Sequence, residues 1–236
     1  MSNALYMDDS YLREWDASVV SVEGKFVVLD STAFYPNSGG IEHDTGVVTR
    51  KSDGKAFRVV YAGKFKGEVS HEVAEEGLSQ GDEVHCSLDW ERRYLLMRYH
   101  TAAHVVSGVF HNEFGLKITG NQMTQEKGRI DFDMETMDLE LLKKGIVRAN
   151  ELIVQDLPVR VRYLSRAEAE KDPNLFKLAM GFPHDIATLR IVEIVGFDSQ
   201  ADGGCHVRSL GEIGNVSFIE AVNKGKSNRR LYFRLE

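Results

Sequence analysis

Between residues 10 and 90, apolar positions recur in short runs with partial two-residue alternation. Gly, Asp, Asn and Ser punctuate them, the pattern of short β-strands joined by turns. The runs cover 17–22, 26–29, 46–49, 57–61 and 84–88, and Ser52-Asp53-Gly54-Lys55 reads as a hairpin turn. Strands of this length and spacing predict a small barrel or sandwich. After Asp89 the period changes. Leu95, Leu96, Tyr99, Ala102, Ala103 and Val106 repeat at helical spacing, with no Gly or Pro between Asp89 and Gly108. This predicts a helix to about Phe114, which Gly115 can stop.

The rest of the chain mixes both periods. Strands are expected over 117–120 and 129–132. Residues 137–155 form a second amphipathic helix, with Leu139, Leu142, Ile146, Ala149 and Ile153 on one face. Over 158–164, Val159, Val161 and Tyr163 face one way and Arg160 and Arg162 the other. Ser165 followed by Glu168 is a capping box for a short helix. Further strands are expected over 189–195, 215–221 and 230–235. The fold class is therefore α+β. A small β-barrel-like domain, residues 1–90, precedes an α+β domain, residues 91–236, whose antiparallel sheet is covered by helices.

Composition narrows the function classes. The chain has 236 residues, 42% hydrophobic and 28% charged, enough for one large or two small cores. No apolar run reaches about 18 residues, so no membrane span is expected. The first residues lack a basic segment followed by an apolar one, so no signal peptide is expected. Two cysteines, Cys86 and Cys205, make no disulfide framework and fit a reducing cytoplasm. A net charge of −7 argues against an all-round basic surface and leaves room for a local basic patch.

Candidate chemistry falls in four places. His100 and His104 lie four apart on the predicted helix, where residues stack one above the other, as a metal ligand pair requires. A histidine pair alone is equally the mark of two buried core imidazoles. Downstream, Asp202, Cys205 and His206 fall within five residues of a Gly-rich loop, and all three types bind zinc. In the first half, Phe34-Tyr35-Pro36-Asn37-Ser38-Gly39-Gly40 is a tight loop. Its glycines permit positive φ or close backbone approach to a ligand, and a turn with an aromatic plug is the simpler reading. Lys226 and Arg230 lie in a basic stretch, and Arg208 follows the metal loop. Each is a candidate polyanion contact or part of a solvated surface.

Together these motifs resemble the AlaX alanyl-tRNA editing proteins, relatives of the editing domain of alanyl-tRNA synthetase. The resemblance rests on His100-Thr101-Ala102-Ala103-His104, Gly203-Gly204-Cys205-His206-Val207-Arg208 and Gly211-Glu212-Ile213-Gly214. It includes the loop ending in Gly39-Gly40 and the following Asp44-Thr45-Gly46. It spans essentially the whole chain, in the family's medium-length form. Two positions depart. Where the family loop reads Cys-Gly-Gly-Thr-His, this chain has Asp202 in place of the Cys and Cys205 in place of the Thr. Ile41 replaces the family's usual Gln.

The resemblance implies zinc held by His100, His104 and His206, with Asp202, Cys205 or water as the fourth ligand. Asp202 is preferred, because adjacent residues such as Cys205 and His206 point apart in an extended loop. It implies hydrolysis of serine or glycine from the acceptor end of alanine tRNA, with no membrane partner. Thr119, beside Asn121 and Gln122, is the candidate contact for the serine hydroxyl. Gly39, Gly40, Arg208, Lys226 and Arg230 are candidate substrate or tRNA contacts. A zinc hydrolase of another aminoacyl ester and a zinc-stabilised tRNA-binding module without hydrolase activity are the alternatives. No aminoacylation motif is apparent, and the oligomeric state is not encoded in any pattern.

Overall fold

The computed structural model describes residues 2–176 and 187–236. The chain divides into two compact units, Met1–Leu96 and Met97–Glu236.

The first unit holds strands β1 (Asn3–Ala4), β2 (Glu14–Glu23), β3 (Phe26–Leu29), β4 (Ser31–Thr32), β5 (Gly46–Arg50), β6 (Ala56–Phe65), β7 (Glu68–Val73) and β8 (Glu83–Leu88). Six of them close an antiparallel barrel in the order β2-β3-β7-β6-β5-β8, while β1 and β4 pair in parallel. Alternation drives closure: Trp15, Ala17 and Val19 on β2, and Phe57 and Val59 on β6, are buried while their neighbours are not. Strand β7 is not among the predicted runs. Its buried positions are Val69, His71 and Val73, so a histidine interrupts the apolar stripe.

His71 is a satisfied core histidine. Its Nδ1 lies 2.9 Å from the Val27 carbonyl, which can only accept, so Nδ1 carries the proton. Its Nε2 therefore accepts from the Thr32 hydroxyl at 2.8 Å, and that hydroxyl accepts from the Phe34 N–H at 3.1 Å. Burial pushes the His71 pKa down to about 4.

The glycine-rich loop is a folded element of this unit. Gly39 (φ 60°) and Gly40 (φ 81°) are the centre of a two-residue turn, with Ile41 N–H donating to the Ser38 carbonyl at 2.9 Å. Ile41 is buried. Asp44 accepts from the Tyr35 N–H at 2.6 Å and pairs with the fully buried Arg93, which also donates to the carbonyls of Ala33 and Ser10.

Helix α1 (Trp90–Phe114) carries the chain into the second unit and ends at Gly115 (φ 68°). Then come β9 (Ile118–Met123), β10 (Gly128–Asp133), α2 (Leu139–Ile153), β11 (Val159–Ser165), α3 (Arg166–Ala169), β12 (Thr188–Ile194), β13 (Asp198–Ala201), β14 (Val216–Asn223) and β15 (Asn228–Leu235). Among the described residues these strands form two antiparallel sheets, β14-β15-β10-β9 and β11-β12-β13. Every α1 residue from Tyr99 to Phe110 is buried, which exceeds the single stripe read from the sequence. The helix is covered by both sheets. Phe110 meets Phe132 of β10 at 4.6 Å between ring centroids, and Gln200 of β13 donates to Ser107 at 3.4 Å.

Asp138 caps α2 by accepting from the Leu141 N–H at 2.9 Å. Leu142, Ile146, Ala149 and Ile153 are buried as the period predicts, but Leu139, in the first turn, is 45% exposed. The Ser165–Glu168 capping box opens α3. Strand β13 was not expected, since Asp198-Ser199-Gln200-Ala201 carries almost no apolar signal. Among the described residues, no helix is long and apolar enough to cross a membrane. Neither cysteine forms a disulfide.

Candidate metal centre

Two pieces of the second unit build the site. Helix α1 presents His100 and His104 one turn apart. The segment leaving β13 brings Asp202 and His206 back over them. One donor atom from each of these four residues lies within 4.8 Å of the other three. The Asp202 carboxylate is at the centre: Oδ2 is 3.4 Å from His100 Nε2 and 3.8 Å from His104 Nε2, and Oδ1 is 3.2 Å from His206 Nε2. The three imidazoles are buried and Asp202 is half-buried.

Hydrogen bonds fix which nitrogen faces inward. His100 Nδ1 lies 3.3 Å from the Cys205 carbonyl, so it donates there and leaves Nε2 for the centre. Thr101 gives its single hydroxyl proton to the Met97 carbonyl at 2.9 Å. Its oxygen therefore accepts, from His206 Nδ1–H at 3.1 Å and from the Val207 N–H at 3.2 Å. Neutral His206 thus turns an Nε2 lone pair toward the Asp202 carboxylate. Burial, then the nearby His100 and His104, hold the His206 pKa well below the usual imidazole range. For Asp202, burial pushes the pKa up, but His100, His104 and His206 outweigh it and hold the carboxyl well below its ordinary value.

Lone pairs and a carboxylate converging in a buried site are mutually repulsive unless a cation lies between them. Tetrahedral zinc with bonds of about 2.0–2.2 Å sets its ligand atoms about 3.3–3.5 Å apart. The His100 separation matches that, His206 is slightly close, to the other carboxylate oxygen, and His104 is slightly wide. The donor set of three imidazoles and a carboxylate fits zinc chemistry. Asp202, not the Cys205 thiol, is the fourth member of the group, and Cys205 contributes its carbonyl.

The loop is held by residues that pattern reading did not single out. Buried Arg190 donates to the carbonyls of Asp202 (3.0 Å) and Gly204 (2.9 Å). The Gly204 N–H donates to Asp202 Oδ1 at 2.6 Å. A Cβ on Gly204 would sit 2.3 Å from His100 Cε1, so only glycine lets the loop pass this close.

Comparison with known proteins shows the family. A family model described as "Threonyl and Alanyl tRNA synthetase second additional domain" matches residues 189–232, and "tRNA synthetases class II (A)" matches 7–92. The alanyl-tRNA editing protein AlaX-M of Methanosarcina mazei is 47% identical over 100% of this chain and 97% of its own length. That of Methanosarcina barkeri is 48% identical over 100% and 99%. The chain belongs to the AlaX-M family of alanyl-tRNA editing proteins. This chain is also 41% identical to the alanine–tRNA ligase of Thermofilum pendens, over 91% of this chain and 24% of the ligase.

The other candidate residues are not members of the four-residue group. Thr119 is exposed on β9, at a bulge where Asp131 pairs with Gly120 and Phe132 with Ile118. Its hydroxyl donates to Asn228 Oδ1 at 3.3 Å. Arg208 is exposed, with its N–H donating to Glu212 at 2.9 Å. Lys226 is exposed in the β14–β15 turn. Arg230 is half-buried and gives two hydrogen bonds to Asp131, at 2.7 and 2.8 Å, so its guanidinium already has a partner within the fold. Gly39 and Gly40 belong to the first unit, in the turn described above.

Proposed function

We propose that this chain is a zinc-dependent trans-editing hydrolase of the cytoplasm that removes serine, and glycine, from mischarged alanine tRNA. The observation that carries this reading is the convergence of His100, His104, Asp202 and His206, one potential ligand atom of each lying within 4.8 Å of the others. These four residues would hold zinc, which would supply Lewis acidity for ester hydrolysis. The chain itself does the positioning. Thr101 orients His206 through Nδ1, the Cys205 carbonyl orients His100, and Arg190 keeps the loop closed on the helix.

Selection of serine is assigned to Thr119. A pocket that is merely small rejects a close analogue weakly, whereas a hydrogen-bonding partner left unpaired by alanine discriminates more strongly. The basic stretch around Lys226 and the exposed Arg208 are assigned to the tRNA backbone. Because Arg230 is bonded to Asp131, Lys224→Glu with Lys226→Glu is the cleaner test: it should weaken tRNA binding and flatten its salt dependence.

The deciding experiment is a deacylation assay on serine, glycine and alanine esters of alanine tRNA. Serine and glycine should be released and alanine spared, and His104→Ala should abolish release. One observation favours a second reading. Asp202 supplies a fourth donor, and closed four-ligand zinc sites are usually structural. A non-hydrolytic zinc-stabilised tRNA-binding module would bind tRNA, lose its fold on chelation and release none of the three amino acids.

A further inference from the structure

Edge strand β9 sets one polar side chain on the covered face of its sheet. Asn121 pairs with buried Ile130, and cross-strand partners share a face. Met123, next on that face, is buried, while Gln122 between them is exposed. Asn121 is half-buried, and among the described residues its side-chain amide has no hydrogen-bond partner. Helix α1 lies on this face. Tyr99 meets Phe233, the partner of Gly128, at 6.0 Å between ring centroids, and Phe110 meets Phe132 at 4.6 Å. Between these anchors the helix spans about 16 Å and β10 about 14 Å. The two therefore run nearly parallel, and the row of Ile130 and Asn121 stands about level with His104. His100 and His104 lie about 100° and 140° round the helix from Tyr99.

The ladder bonds fix which flank the histidines take. The Asp133 N–H donates to Lys117, on the β9 side, and the Met134 N–H to Ser227, on the β15 side. By alternation Ile130 and Phe132, whose side chains face the helix, also direct their backbone groups to β15. For L-residues seen from that face with β10 running upward, this sets β15 on the right and β9 on the left. A right-handed helix running the same way turns His100 and His104 to the left, over β9. The right flank belongs to α2: a Cβ on Gly145 would sit 2.2 Å from Phe110 Cζ, and Asn150 exchanges hydrogen bonds with Val216 of β14. Asn121 is thus the polar residue of the β9 wall on the flank of the four-residue group.

We infer that the Asn121 amide oxygen accepts from the α-ammonium of the amino acid being removed, a role that rests on the function proposed above. That ammonium is the polar group, besides the ester, that serine and glycine have in common. A cation held by the histidines repels it, so its acceptor belongs on a wall outside the ligand group. A neutral amide accepts there without offering the metal another carboxylate.

The test is binding of the full chain to an alanine acceptor minihelix carrying serine through an amide in place of the ester, and to the same RNA lacking the α-amino group. Asn121→Ala should weaken binding of the seryl RNA about tenfold and leave the deaminated RNA within about twofold. Asn121→Asp should bind the seryl RNA at least as tightly as the unaltered chain. Equal losses on both RNAs, no loss on either, or failure of the unaltered chain to bind the seryl RNA would overturn the contact. So would a loss matched by a fall in bound zinc. The readout needs no catalysis: a chain that shows the Asn121 effect yet releases no amino acid would sink the hydrolase and keep the contact.

Discussion

His71 in the first unit and His206 in the second are both buried imidazoles whose Nδ1 protons are spoken for. They differ in what the other nitrogen meets. His71 Nε2 receives a proton from Thr32, so both ring nitrogens are paired within the chain. His206 Nε2 meets the Asp202 carboxylate, with the His100 and His104 rings beside it. Burial is shared, and so is the direction of the pKa shift. What faces the second ring nitrogen separates this core histidine from the candidate ligand.

Breaking the ligand side should have the largest effect. His206→Ala removes one of four donors, and metal affinity should fall about a thousandfold, measured by chelator competition. Retention of affinity would refute ligation. His71→Ala leaves the metal site untouched and should not change that affinity.

The core side should show itself through pH. The folded His71 pKa is about 4, against an ordinary value near 6.5. Above pH 6.5 both states are neutral and the shift contributes nothing. As pH falls from 6.5 to 4, the unfolded chain takes a proton that the folded chain refuses, so stability is lost across that window, by about 3 kcal/mol in all. Both tryptophans, Trp15 and Trp90, lie in the first unit, so fluorescence-monitored urea unfolding at pH 7 and 4.5 reports it. His71→Gln should flatten the pH dependence. An unchanged slope would show that His71 is not its source.

The same contrast separates the two glycine pairs. Gly40 is required by its backbone (φ 81°), Gly204 by its neighbour. Gly204→Ala drives a methyl into the His100 ring and should cost on the order of a hundredfold in metal affinity. Gly40→Ala should cost about 1 kcal/mol of first-unit stability and no metal affinity.

What was legible in the sequence was local. Alternation located most of the barrel strands, helical spacing gave α1 its length and stacked His100 on His104, and Ser165 with Glu168 announced α3. The two-residue strands β1 and β4 are too short to show a period, and β7 and β13 escaped because their inward or paired positions are polar: His71 in β7, and Gln200 in β13, which bonds Ser107 and Asp198. Ion pairs and bonds between distant residues left no periodic trace. Nothing around Arg93 in the sequence points to Asp44, 49 positions away, and nothing around Arg190 points to the carbonyls of the loop. The two readings of the Asp202–Cys205 segment stayed open for the same reason: Arg190 and Thr101 set the loop's orientation from elsewhere in the chain. The family motifs pointed to the candidate metal ligands more strongly than spacing did.

Thr101 offers the finest cut between the two kinds of histidine, because it acts on His206 without touching the centre. Within His100-Thr101-Ala102-Ala103-His104 it reads as a spacer, yet its oxygen accepts from both His206 Nδ1–H and Val207 N–H. Thr101→Val keeps the shape and leaves two buried donors unpaired. His206 could then satisfy itself only by rotating or changing tautomer, and either takes Nε2 away from Asp202. Metal affinity should drop by about 10- to 100-fold, the usual cost of losing a partner that orients a ligand. Thr101→Ser, which keeps the oxygen, should restore most of it. If valine and serine behave alike, orientation through this hydroxyl does not matter, and His206 is held by packing alone, as a core histidine would be.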